Sequence, residues 1–362
     1  MLDIICKLCK LNKADQTHTP IIPFFLIENM INENREANNI NLNASFDDLL
    51  FMEKFFKNDV KPINLKKLGR LPVKHSEKTN YKDIFVEDNI LCRHCNAKFN
   101  MLDELFIEEF YDEFKQMDRL ERDEFYYHID KMFKYNILKA FFLSIVWRAS
   151  IATIYGFDSF ALEPNFEEKL RTIILSKLPL NSENTKKDLN QFNSTMDSIP
   201  IMIFCQNTIN EQNYNPNNFV LFYTKSTTPY YIVINDFVVC CYYNSHSIKT
   251  ICNKFFKFEK LFHIHEIIYH NRNRTIRLLT KGEWNTWHSK ILAYIEEENM
   301  KNIRKLFIEL FYFFCNCKPY KRSLEGFVNK IISNNEVKLN KDSLPYYIKM
   351  IIEYLDIPTN EI

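Results

Sequence analysis

Cys6-Lys7-Leu8-Cys9, and far downstream Ile90-Leu91-Cys92-Arg93-His94-Cys95-Asn96, are the stretches on which the reading of this sequence turns. In each, two residues separate the thiols, so both sulfurs of a pair reach one tetrahedral ion, and two such pairs complete a four-ligand site. Zinc is the natural occupant of Cys6, Cys9, Cys92 and Cys95, and a set of four thiolates makes a closed structural site. The residues between the pairs must then loop out and return. His94, between two of the cysteines, could replace one ligand, but the four thiols form the better set.

The rest of the composition bounds what the chain can be. A length of 362 residues favours two packed domains or one large one with insertions. Hydrophobic residues at 46% and charged residues at 26% exclude disorder throughout. With 47 basic and 46 acidic side chains the net charge is +1, so attraction to nucleic acid must come from a local patch. The 4 glycines, Gly69, Gly156, Gly282 and Gly326, lie too far apart for a phosphate-cradling loop, which excludes ordinary Walker and Rossmann nucleotide sites. Asp3 and Lys7 interrupt any signal-peptide core, and Lys139 with Arg148 bracket the most apolar run. These features predict a soluble cytoplasmic chain without membrane contact, whose 10 cysteines are thiols or metal ligands, not disulfides.

Three segments emerge, within an α+β class that is mostly helical. Residues 1–100 form a loop-rich zinc module with a long insertion, including a capped short helix begun by Ser45 and Asp48. Residues 101–195 read as a helical region. Leu102, Phe106, Phe110, Phe114 and Met117 recur at helical spacing; Tyr135 to Tyr155 is apolar almost all round, and a further helix follows Pro164 from Asn165 to Leu178. Residues 196–362 combine a small antiparallel sheet with C-terminal helices. Its strands are the β-branched and aromatic runs Ile201 to Phe204, Phe219 to Tyr223, Tyr230 to Ile234 and Phe237 to Tyr243. Thr280 and Glu283 form a capping box ahead of Trp284 and Trp287.

Thr17-His18-Thr19-Pro20-Ile21-Ile22-Pro23 after the first thiol pair, Leu91-Cys92 through Asn96 around the second, and Leu143-Ser144-Ile145-Val146-Trp147-Arg148-Ala149-Ser150 further on resemble the four-cysteine HNH endonuclease family over roughly residues 5–178. The resemblance implies a treble-clef zinc module acting on DNA, in a bacterial or phage defence setting. It implies His18 as general base on a water, Asn96 as the terminal asparagine, and Mg²⁺ or Mn²⁺ at the scissile phosphate. No carboxylate adjoins His18 in the sequence. The alternative is a non-catalytic zinc-stapled module for protein interaction, with the aromatic-rich C-terminal half as the partner surface.

Several other residues need a reading. Cys205, Cys240, Cys241 and Cys252 fall among apolar residues and read as core; Cys315 and Cys317 are too close for a knuckle. His75 reads as a solvated loop histidine, and His263, His265 and His270 as part of a basic stretch. Arg148, in the most apolar helix, needs an acidic partner, for which Glu163, Glu167 and Glu168 are the nearest candidates. From Asp103 to Asp130, 11 acids against 3 bases read as a solvated helix face. From Lys61 to Lys98, 9 basic residues outnumber 4 acidic ones, and Lys66, Lys67, Arg70 and Lys74 are the expected DNA contacts. Replacing Lys66, Lys67 and Arg70 together should weaken DNA binding across sequences and flatten its salt dependence, measured by titration at two ionic strengths.

Overall fold

The computed structural model describes residues 4–26, 41–43, 85–116, 126–153, 160–178, 199–206, 219–225, 227–234, 237–243, 273–333, 350–351 and 353–355. The expected helix at Ser45, the basic residues Lys66, Lys67, Arg70 and Lys74, and also His75, Cys252, His263, His265 and His270 lie outside them. By internal contacts the chain divides into two units, residues 1–44 with 80–287 and residues 45–79 with 288–362.

In the first unit, β1 (Thr19–Pro20) pairs antiparallel with β3 (Val86–Glu87), Thr19 opposite Glu87, after the short strand β2 (Asn41–Asn43). Helix α1 (Arg93–Phe106) starts at the second thiol pair and continues through a π-turn (Ile107–Tyr111) into α2 (Asp112–Gln116). The helix expected from Leu102 thus begins at Arg93, because its first turn carries the second thiol pair in place of an apolar stripe. The π-turn also has a readable cause. Leu102, Phe106, Phe110 and Phe114 are spaced by fours, and on an α-helix each such step rotates the side chain by about 40°. One wider turn absorbs part of that drift and keeps all four buried.

After β4 (Tyr126–His128), helix α3 (Met132–Ile151) runs through the core with nearly every side chain buried, Lys139 and Arg148 included. Its neighbours explain this. Phe141 stacks on Phe106 of α1 at 3.8 Å between ring centroids, while Phe142 meets Phe237 of the sheet at 5.4 Å. Helix α4 (Pro164–Lys177) opens on a proline, whose missing N–H costs nothing at a helix start, and Phe166 stacks on Tyr230 at 5.4 Å.

The strands β5 (Ile201–Gln206), β6 (Phe219–Lys225), β7 (Thr227–Ile234), β8 (Phe237–Cys241) and β9 (Thr275–Leu279) complete the sheet. The expectation of a small antiparallel sheet is corrected: seven strands lie in the order β2-β6-β7-β8-β5-β9-β4, and the β2–β6 and β5–β9 pairs are parallel. The four runs read from sequence are its centre. Tyr230 to Ile234 of β7 and all of β8 are buried on both faces, with Cys240 and Cys241 on opposite sides, and Cys205 is buried as expected. The sequence missed β2 and β4, three-residue edge strands too short to show alternation, and it missed β9, which lies beyond the last run read as a strand.

Helix α5 (Lys281–Cys315) starts at the expected capping box: the Thr280 N–H donates to Glu283 Oε2 at 2.9 Å and the Glu283 N–H to Thr280 Oγ1 at 3.3 Å. In the second unit α6 (Lys321–Ser333) packs Phe327 on Phe307 at 4.7 Å. A Cβ at Gly326 would meet the Tyr354 hydroxyl, so a larger residue there needs that side chain to shift. No described helix is long and apolar enough to cross a membrane.

Arg148 is the costliest residue in this core, fully buried on α3. The glutamates Glu163, Glu167 and Glu168 are not its partners; Glu168 instead pairs with Lys10 and Arg171. Its guanidinium donates to the Pro20 carbonyl at 2.9 Å and Ser144 Oγ at 3.2 Å, meets Asp103 Oδ1 at 3.5 Å, and lies over the Phe99 ring at 4.9 Å. Burial pushes the Asp103 carboxyl up to about 6 despite the pull of Arg148. Arg148→Ala should cost about 3 kcal/mol in denaturant unfolding, because it removes a buried side chain and leaves the Asp103 carboxylate, only 14% exposed, without its cation. With the cation gone, the folded pKa of Asp103 rises further above its unfolded value. Stability is then lost as pH climbs through that raised value, so the deficit should be larger at pH 8 than at pH 5.

Candidate metal centre

The first thiol pair sits in a tight knuckle. An isolated bridge joins Ile5 to Lys13, the Cys6 N–H donates to the Asn12 carbonyl at 2.8 Å, and the Lys10 N–H donates to the Cys6 carbonyl at 2.9 Å. Lys10 closes the turn at φ 57°, a left-handed conformation disfavoured for a residue with a Cβ. The second pair uses helix geometry. Cys92 is the N-cap of α1, in extended conformation, and Cys95 stands one turn later, so their sulfurs share a side. Asp15 supplies the cap that Cys92 does not, its Oδ1 accepting the Arg93 N–H at 3.1 Å.

Backbone bonds hold the two pairs together: Lys7 N–H to the Ile90 carbonyl and Gln16 N–H to the Leu91 carbonyl, both 3.0 Å, with Asn89 N–H to the Gln16 carbonyl at 2.8 Å. The sulfurs of Cys6, Cys9, Cys92 and Cys95 consequently lie within 4.8 Å of one another, the placement a single metal ion requires. Cys6 and Cys95 are completely buried, Cys92 nearly so, and Cys9 is half-buried. Asn12 Nδ2 donates to Cys92 Sγ at 3.8 Å. The thiols are electrostatically uneven: a hydrogen bond from Cys95 draws Cys6 down to about 4, and Cys95, sharing that bond and buried, is pushed up. Four anionic sulfurs this close repel unless a cation lies between them, and the donor set fits a soft divalent ion with no coordination position left open.

Basic side chains dock this centre onto the helical core. Lys7 Nζ donates to the Ile151 carbonyl at the end of α3, at 2.6 Å, and Lys98 Nζ to the Leu175 carbonyl in the last turn of α4, at 3.2 Å. Cations at helix C-termini complement both the unpaired carbonyls and the dipole. Arg171 donates to the Leu8 carbonyl inside the knuckle, while Lys10 pairs with Glu168 at 2.8 Å.

The remaining expected site residues separate. His18 stands just before β1 at φ 54°, its side chain 64% exposed. Asp88, just past β3, accepts the His18 N–H at 2.6 Å and lies 3.9 Å from His18 Nδ1. The carboxylate absent beside His18 in the sequence is therefore supplied by strand pairing, and only the Asp88-Asn89 turn ahead of Leu91-Cys92 hinted at it. Asn96 is buried, its Oδ1 without a partner among the described residues, so it faces inward while His18 faces solvent. His94 is exposed on α1 and is outside the four-thiol set.

Elemental analysis of the purified protein should give about one metal ion per chain. Cys92→Ser should lose the ion and lower the melting temperature, because a structural metal contributes folding free energy directly. No protein-family model, curated protein or solved structure matches this chain.

Proposed function

We propose that the four cysteines hold a structural zinc ion in a treble clef of HNH type and that the chain acts on DNA through the face where His18 meets Asp88. The observation that carries this reading is the order of elements around the thiols: a knuckle, a two-strand ladder, then a helix whose cap and first turn bear the second pair, with His18 and Asp88 flanking the ladder. Four thiolates and a tetrahedral site favour zinc over harder ions.

In this reading His18 takes a proton from the attacking water, and Asp88 fixes the backbone and one side of the imidazole by its contacts. Asp88 would be the donor to a Mg²⁺ or Mn²⁺ ion, which when bound would supply stabilisation of the leaving phosphodiester oxygen, while the single basic lone pair of His18 stays free for the proton. The exposed position of the pair suits a polymeric substrate, which cannot enter a closed pocket.

A second reading rests on a different observation. Asn96 points into the core, away from the solvent that His18 faces, and a module whose two expected catalytic residues diverge serves as well as a non-catalytic staple for a protein-interaction surface.

Nicking of duplex or branched DNA separates the two. The first reading expects Mg²⁺- or Mn²⁺-dependent cleavage that falls about a hundredfold to ten-thousandfold in His18→Ala with zinc content and fold retained. Asp88→Asn should reduce it too. Equal cleavage by wild type and His18→Ala, or none by either, leaves the interaction module.

A further inference from the structure

Helix α5 ends in a solvent-facing turn with an unusual set of side chains. Lys305, Ile308, Tyr312 and Cys315 follow at three- and four-residue spacing, so they line one helix face. All four are exposed, Tyr312 by 55%. Asn316 turns the chain at φ 51°, Cys317 and Lys318 follow in the open, and Tyr320 is 79% exposed, more than any other described aromatic residue. Lys321 and Arg322 then open α6, also exposed.

Charge and shape at this turn point the same way. No acid occurs from Cys315 to Leu324, and among the described residues no carboxylate pairs with Lys318, Lys321 or Arg322. Solvent-facing cations are ordinary, but three with no carboxylate partner among the described residues, close in sequence to two exposed rings, are a specific combination. Phosphates call for the cations, and an exposed Tyr ring stacks on any base, since each base offers a π-face. The positive N-terminal end of α6, reached directly after Tyr320, adds to the attraction for phosphate. A duplex keeps its base faces inside its own stack, and an acidic peptide offers charge without planar faces, so a single strand matches this surface best.

We propose that the α5–α6 turn binds single-stranded nucleic acid, Tyr312 and Tyr320 stacking on bases while Lys318, Lys321 and Arg322 contact phosphates. The inference goes beyond the reading of the N-terminal module and does not depend on it.

Fluorescence anisotropy of the full chain with a labelled oligothymidine of about 15 nucleotides tests this, without added Mg²⁺ or Mn²⁺ so that hydrolysis is not read. Tyr312→Ala and Tyr320→Ala should each weaken binding about tenfold, whereas Tyr320→Phe retains the ring and the affinity. The double variant Lys318→Gln with Lys321→Gln should reduce the slope of log affinity against log salt by about 1.4, two phosphate contacts' worth on a single strand. The bound strand should also slow alkylation of Cys315 and Cys317. Affinity unchanged in Tyr320→Ala, a duplex of equal length binding as tightly, or polyglutamate competing as well as the strand would each overturn the proposal, the last in favour of an acidic protein surface.

Discussion

The junction of Cys6, Cys9, Cys92 and Cys95 is the constraint on which the first unit depends. It joins positions 83 residues apart, from Cys9 to Cys92, and places their sulfurs 4.0 Å from each other. Closing a flexible loop of that length costs about 4 kcal/mol in chain entropy before any constant term. A few backbone hydrogen bonds between the knuckle and the Asn89–Leu91 turn return about 1 kcal/mol each, too little to be secure alone. A structural zinc ion, as proposed, contributes about 10 kcal/mol or more and decides the balance. With that ion bound, the knuckle, the β1–β3 ladder and the start of α1 would form one cooperative piece.

That piece is fastened to the core by charged groups as well as by apolar ones. Lys7 and Lys98 cap the ends of α3 and α4, and Arg148 reaches from the last turn of α3 to the Pro20 carbonyl. A buried guanidinium is expensive to desolvate, and an apolar side chain of similar volume would pack as well. What such a chain could not do is bond the β1 backbone, Ser144 and Asp103 at once. Arg148 thereby fixes the ladder against α1 and α3 together, which holds His18 and Asp88 on a rigid support although both face solvent.

The helices and the sheet meet through aromatic rings in the same way. Phe106, Phe141, Phe142 and Phe237 form a continuous chain of contacts from α1 through α3 to β8. Large rings bury much area for few residues. This accounts for a sequence so rich in phenylalanine, and for α3 carrying apolar side chains on every face.

Much of this was legible in the residues themselves. The Cys-x-x-Cys spacing, the all-round apolar run of α3, the proline start of α4, the capping box of α5 and the β-branched runs at the centre of the sheet are local patterns, fixed by bond geometry and solvent, and they can be read without knowing the fold. What lay beyond the sequence was every pairing between distant segments. Asp88 came to His18 through the β1–β3 ladder, Asp103 and not a nearby glutamate came to Arg148, β2 and β4 were recruited to the sheet edges, and Asn96 turned inward on α1. Each depends on which surfaces meet, and the free energy deciding that is released only when whole elements dock. The sequence by itself determined that two thiol pairs had the spacing to share one site; the tertiary structure brought their sulfurs together and decided that Asp88 would lie beside His18.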